Sequence, residues 1–265
     1  MIEKLCRLYQ TFFPSDHPEQ NRLVSLHSSE NKGAFLQAYF EHEYAKGVEA
    51  IDKFKNLSGD MEKKRALDFG CGAGGLTYRI AERCSEAAGI DIEQYKIDHA
   101  NQQRERLGTN VEFVCYDGET IPFEDNSFDL IFCIDVAEHL PRLEHYLSEL
   151  ARVLKPDGDL LLSFGPPWMH AHGKHMWSKL PGWWTHLLFP RPTVMKVAGF
   201  SQETTWEELG IHRLTVKRFE QAISTAKLET TYFKLGIKKL LLPIKHIPWL
   251  REFFVSGVIT VMKKQ

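Results

Sequence analysis

RALDFGCGAGGLTYRI, residues 65–80, begins with a short apolar run ending at Asp68-Phe69-Gly70, passes through four glycines (Gly70, Gly72, Gly74, Gly75) and resumes with the spacing of a helix. An apolar run that stops at glycine reads as a buried strand, so the unit is strand, glycine loop, helix. Glycine reaches dihedrals closed to other residues and lets a ligand touch the main chain, at a cost in order that plain structure rarely requires. The stretch therefore predicts the first strand of a doubly wound sheet, with a nucleoside-type ligand at its carboxyl edge.

The same rhythm continues downstream. Short apolar runs at 87–90, 111–114, 128–134 and 160–164 alternate with helical patterns at about 93–107 and in RLEHYLSELARVL. Such alternation is the mark of a parallel sheet covered on both faces by right-handed crossovers. Residues 1–60 lack strand alternation, while Phe35, Leu36, Tyr39, Phe40, Tyr44, Val48 and Ile51 fall at helical spacing, which predicts an N-terminal helical arm ahead of a domain spanning 61–265. After Phe164 the rhythm breaks. Residues 165–215 are rich in Trp, His and Pro and read as an inserted lid or substrate-binding segment. A helix in VKRFEQAISTAKLE, a strand in TTYFKLG and a last apolar strand in FFVSGVITVMKK complete the pattern. The expected fold is α/β and Rossmann-like, a doubly wound seven-stranded sheet.

Composition narrows the partners. With a formal charge of −2 over 265 residues there is no overall basic footprint for phosphate backbones, so nucleic acid is not expected as a partner. Five widely spaced cysteines without a C-x-x-C pair suggest neither a disulfide framework nor a zinc knuckle, and a reducing interior fits them. No signal-peptide core and no long apolar run is seen, so a cytoplasmic location is expected.

Asp91 follows Gly70 by 21 positions, at the end of the second predicted strand, the distance at which a carboxylate accepts the hydrogen bonds of a ribose diol. A dinucleotide would bring pyrophosphate to the loop, whereas S-adenosylmethionine brings a zwitterionic amino acid. Asp68, two residues before the first glycine, would repel the former and suit an ammonium group. Four ordered stretches, LDFGCGAGGLT, GIDIEQY, CYDGETIPFEDNSFDLIFCIDVAEHL and LKPDGDLLLSF, resemble the motifs of class I S-adenosylmethionine-dependent methyltransferases, over roughly residues 65–165 plus the terminal strand. The resemblance implies that Asp68, Gly70, Cys71 and Gly72 line the methionine end, Asp91 and Ile92 the ribose, and Asp117 with Gly118 the adenine edge. It also implies that Ile134 and Asp135 close the pocket floor and that SGVITVMKK is an antiparallel seventh strand. Structural readings stand beside these. Gly75 and Gly89 can serve tight packing, Asp117 a turn and Asp135 a helix cap.

A sulfonium methyl needs chiefly an acceptor held in line, and a hydroxyl acceptor also needs its proton taken, most often by histidine. His139 and His175 are the candidate bases, and His172, Trp177, Trp183 and Trp184 the candidate acceptor contacts. The HAHGKH loop has no carboxylate or cysteine nearby to complete a shell, so no metal site is expected. These residues point to O-methylation of a small molecule, glycan or lipid-linked acceptor. N- or C-methylation, and a non-catalytic nucleoside-binding protein of the same fold, are the alternatives. The basic, apolar stretches around Trp183 and in LLLPIKHIPWLREFF suggest a further use, peripheral contact with a membrane.

Overall fold

In the computed structural model, residues 1–12, 32–107, 109, 111–176, 179–180 and 182–264 are described. Seven strands, β1 (Arg65–Phe69), β2 (Glu86–Asp91), β3 (Val111–Cys115), β4 (Phe128–Ile134), β5 (Leu154–Phe164), β6 (Leu228–Gly236) and β7 (Gly257–Lys264), form one sheet in the order β3-β2-β1-β4-β5-β7-β6. All neighbours pair in parallel except β7, which runs antiparallel between β5 and β6. The helices of the N-terminal half are α1 (Ile2–Phe12), α2 (Lys32–Ser58), α3 (Gly75–Ala81), α4 (Gln94–Leu107) and α5 (Leu143–Val153). They are followed by α6 (Thr185–Leu188), α7 (Arg191–Val197), α8 (Val216–Thr225) and α9 (Pro248–Phe254).

The period of two along each strand divides the core into two layers. Leu67, Ile131 and Leu160 pack with Leu147 of α5 and Phe219 of α8 on one face. Ala66, Phe132 and Leu161 pack with Phe40 and Phe54 of α2 and Tyr78 of α3 on the other. Each such buried side chain contributes about 1.5–3 kcal/mol relative to exposure, which fixes the register of the central strands. From β3 the chain returns to the far side of β1, so the crevice between the carboxyl ends of β1 and β4 is the topological switch point.

The predicted arm forms helix α2, but its buried stripe is Leu36, Phe40, Gly47, Ile51 and Phe54, while Val48 is exposed. Glycine is needed where α2 crosses α3. A Cβ on Gly75 would stand 2.4 Å from the Phe40 carbonyl oxygen and 2.6 Å from the Tyr44 nitrogen. Backbone cannot yield as a side-chain tip can, so Gly75→Ala is expected to destabilise the free protein by about 1–3 kcal/mol through overpacking. A thermal melt checks this, and an unchanged midpoint would mean that α2 is not held on α3 in this way.

Some boundaries differ from expectation. Strand β5 starts at Leu154, ahead of the predicted 160, with a bulge opposite Phe128/Leu130. Phe253 and Phe254 end helix α9 and do not begin the last strand. Pro248 opens that helix, and its buried Glu252 accepts hydrogen bonds from the Val216 and Lys217 amides at 2.9 and 2.7 Å. Those amides sit at the N-terminus of α8, where orphan donors favour a carboxylate.

Candidate active site

At the switch point the glycine loop turns through Gly70, Gly72 and Gly74, with φ of 76°, 54° and 89°. Only residues tolerant of the left-handed region can take these positions. Much of the bareness that the sequence assigned to a ligand belongs to the chain's own packing. A Cβ on Gly70 would meet Val136 at 2.6 Å, and one on Gly74 would meet Ala100 and Phe113 at 2.9 Å. At Gly72 it would meet the Tyr39 ring at 2.8 Å and the Glu43 carboxylate at 3.0 Å. The packing reading holds for Gly75 against α2, and for Gly89 against Phe113 and Thr77 at 2.9 Å.

A cavity of about 600 Å³ opens beside this loop. From the loop side it is lined by Asp68, Gly70 and Cys71, and from β4 by Ile134 and Asp135, so five of the ten predicted cofactor residues meet here. Helix α2 lines it through Tyr39, Glu43, Lys46 and Lys53, and the β6 and β7 end of the sheet through Gly236, Ser256 and Gly257. Its volume suits a ligand of nucleoside size.

The electrostatics of the inner wall are set by two carboxyls. Asp68 is buried, accepts a 2.6 Å bond from the Thr77 hydroxyl, and is pushed up to about 7 by burial. Glu43, on α2, is raised by burial to about 8 although the Tyr39 hydroxyl donates to it, and its Oε2 has no partner among the described residues. Both carboxyls cost free energy to ionise in the free protein, and a bound cation would offset that cost. Glu43 was not singled out in the sequence. The available signal was its position one turn after Tyr39 on the face that packs against the loop. Asp135 is held at φ 57°, with its carboxyl raised by burial and the Ser163 hydroxyl 3.5 Å away. The short helix that follows has Val136 at its N-cap and no side-chain cap, so Asp135 does not serve as the cap.

The other five predicted cofactor residues follow from there. Gly72 donates to Asp91 Oδ2 at 3.0 Å, and the Glu93 amide donates to Oδ1 at 2.9 Å, so Asp91 ties the glycine loop to the end of β2. Ile92 next to it is 62% exposed, and a Cβ built on Gly118 would lie 3.4 Å from its side chain. Asp91, Ile92 and Gly118 thus lie together next to Gly72 of the loop, a buried carboxylate beside an exposed apolar side chain. Asp117 is exposed and accepts from the Glu119 and Thr120 amides at 2.8 and 3.3 Å, which holds it below its ordinary value. Its turn-forming role is therefore present in the structure.

The candidate bases come together but outside the lining of the large cavity. One ring nitrogen of His139, one of His175 and one Glu138 oxygen lie within 4.8 Å of one another. His139 Nδ1 bonds the Gly210 carbonyl at 2.8 Å and His175 Nε2 the Pro166 carbonyl at 3.0 Å. Carbonyls only accept, so these nitrogens carry the protons, and His139 Nε2 and His175 Nδ1 keep lone pairs. Burial lowers both imidazoles, His175 to about 4. Glu138 accepts from the Gly165 amide at 3.0 Å and is pushed up to about 8 by burial. Gly165 also lines the large cavity, so the cluster sits directly behind its wall. These three side chains are where a metal ion would find donors among the described residues. Glu138 is the member that the sequence reading missed, hidden beside the more obvious His139.

The predicted acceptor contacts fare differently. Trp177 lies outside the described residues. His172, Trp183 and Trp184 are not among the described residues that line the cavity. The segment instead builds a satellite core from Met176, Leu180, Val194, Met195 and Trp206. Trp184 donates to the Met169 carbonyl at 3.1 Å and packs on Phe254 at 6.3 Å, while the His172 and Trp183 rings lie 6.4 Å apart.

Residues 67–162 match the family model described as "Methyltransferase domain". With the seven-stranded sheet and its antiparallel β7, the chain resembles the class I S-adenosylmethionine-dependent methyltransferases, whose cofactor is S-adenosylmethionine. Among curated relatives, a biotin biosynthesis bifunctional protein of Cellvibrio japonicus is 34% identical over 136 residues, covering 51% of this chain and 26% of its own. A ubiquinone biosynthesis O-methyltransferase of Coxiella burnetii is 31% identical over 103 residues, 39% of this chain and 44% of its own. The match thus spans less than half the length of either relative. The [4+2]-cyclase SpnF shares the fold with a TM-score of 0.57 at 15% identity, over 95% of this chain and 98% of that one.

Proposed function

We propose that this chain transfers the methyl group of S-adenosylmethionine to a hydroxyl of an apolar small molecule. The observation that carries the reading is the pair of buried carboxyls, Asp68 and Glu43, in the wall of a nucleoside-sized cavity at the switch point. They suit the methionine ammonium, Asp91 the ribose diol, and Ile92 with Gly118 the adenine. The cofactor supplies an activated methyl on a cationic sulfur. The protein's part is to hold the acceptor in line and exclude water.

The acceptor side is formed by Lys46, Ala50, Lys53, Phe54 and Ile259, a surface without tryptophan among the described lining residues. With no tryptophan among the described lining residues to stack on a sugar ring, an apolar acceptor fits better than a glycan. The Coxiella relative, named for ubiquinone biosynthesis and O-methylation, agrees with that choice. N- or C-methylation needs no change in the cofactor site. A non-methylating role is favoured by one observation, the cyclase on the same fold.

We assign the base for a hydroxyl acceptor to the Glu138, His139 and His175 cluster, where two lone pairs and a carboxyl can pass a proton away from the wall at Gly165. His139→Ala and His175→Ala are expected to lower kcat about 10²-fold, within the usual range for losing acid–base catalysis. The dissociation constant for S-adenosylhomocysteine should stay within about twofold, well under 1 kcal/mol. Normal turnover in both variants would remove the cluster from the mechanism. The reading as a whole is tested by calorimetric titration with S-adenosylmethionine and S-adenosylhomocysteine, followed by methyl transfer to isoprenoid phenols.

A further inference from the structure

The chain carries large apolar side chains in the open at three separate places. On α1, Ile2, Leu5 and Leu8 are each about half exposed and fall on one helical face. In the insertion, Trp183 and Leu188 are exposed. Between β6 and β7, Leu240 is 91% and Trp249 69% exposed, in a segment whose 3₁₀ turn, Lys239–His246, buries nothing. Contacts join the elements that carry them. The Tyr9 hydroxyl of α1 donates to the Trp183 carbonyl at 2.9 Å, and its ring meets Phe189 at 5.7 Å. Trp184 meets Phe254 of α9 at 6.3 Å, and Lys238 lies near enough to His170 to lower its pKa.

The charges on this surface have one sign. Lys238, Lys239 and Lys245 are exposed around Leu240, and Lys4 is exposed on α1. The acids of the same elements are occupied, Glu252 buried on the amides of α8 and Glu3 paired with Arg7 and Lys196. Leu, Ile and Trp interleaved with Lys is the composition of elements that lie in a lipid headgroup region. A second copy of the chain is a poorer occupant, because a two-fold contact would set these lysines against one another.

We propose that the surface made by α1, Trp183 with Leu188, and residues 238–249 docks on an anionic phospholipid bilayer. Gly236 and Gly257, which flank the exposed segment, also line the cavity, so docking brings that part of the cavity wall close to the lipid surface. An apolar acceptor then reaches the site without crossing water. The docking stands on exposure and charge alone, and only the identity of what enters rests on the methyl-transfer reading.

Flotation with phosphatidylcholine vesicles, with and without phosphatidylglycerol, tests it. The chain is expected to float with the anionic vesicles, with a blue shift of tryptophan emission. Leu240→Glu/Trp249→Glu should weaken this at least tenfold. Lys238→Glu/Lys239→Glu/Lys245→Glu should cost roughly a hundredfold or more, erased by salt, since each cation near such a surface is worth about a factor of five. These positions lie outside the cavity, so S-adenosylhomocysteine binding should be unchanged in every variant. Absence of flotation on either vesicle, binding equal in wild type and variants, or a dimer in solution that Leu240→Glu/Trp249→Glu dissolves would each overturn the proposal. Flotation without any cofactor binding would leave docking standing and sink the methyl-transfer reading instead.

Discussion

Asp91→Ala is expected to weaken S-adenosylhomocysteine binding by roughly 10²–10³-fold, read by calorimetry. A carboxylate offers about four lone-pair sites, and two at Asp91 are taken by the Gly72 and Glu93 amides. The remaining sites are free for a ribose diol, and each hydrogen bond to a charged group contributes about 1.5–3 kcal/mol. Removing the side chain therefore takes away the ribose acceptors and also releases the loop. The two effects separate in the free protein. Loss of the loop bonds alone should destabilise it by about 1–3 kcal/mol, seen as a lower melting midpoint. A lower midpoint with affinity changed less than about threefold, under 1 kcal/mol, would show that Asp91 serves the loop and not the cofactor. Asp91→Asn should fall between, because its amide group can accept from only one of the two backbone donors.

How far the sequence carried follows from which forces are local. Residues 65–80 disclose their strand, loop and helix because burial on both faces of β1 and the φ demands of Gly70 and Gly72 are written within a few positions of one another. The parallel order of β1 to β5 follows from the alternation, and strand 128–134 is found at its predicted limits. What the sequence concealed depends on distant docking. Glu43 acquires its role only because α2 crosses α3 at Gly75, and in α2 taken alone it is an ordinary solvated acid. The tryptophans of the insertion looked like a pocket wall because aromatic content does not say what it packs against. Here Trp184 packs on Phe254, while Trp183 is exposed. Phe253 and Phe254 read as the start of the last apolar strand, since the capping of α8 by Glu252 is invisible without the fold.

Affinity for S-adenosylhomocysteine should rise with pH, about 500-fold between pH 6 and pH 8, as the two wall carboxyls give up their protons, about tenfold from Asp68 and about fiftyfold from Glu43. The sign follows from the raised values in the free protein, about 7 for Asp68 and about 8 for Glu43. An ammonium group binds the ionised forms, so binding below those values must expel a proton, and each pH unit up to that point removes part of the penalty. The same linkage acts on the free protein in the opposite sense. Between about pH 5 and pH 8 the folded state holds more protons on these groups than the unfolded chain, so its stability falls as pH rises, and saturating ligand should cancel that fall. The melting midpoints with and without ligand therefore diverge toward alkaline pH. Asp68→Asn keeps an acceptor for Thr77, and Glu43→Gln keeps one for Tyr39, so both variants should fold. Each should lose part of the pH dependence, and the double variant should bind weakly with a flat profile. A wild-type profile that is flat from pH 6 to pH 8 would mean that no cation meets these carboxyls, and the assignment of the cavity to the methionine end would fall with it.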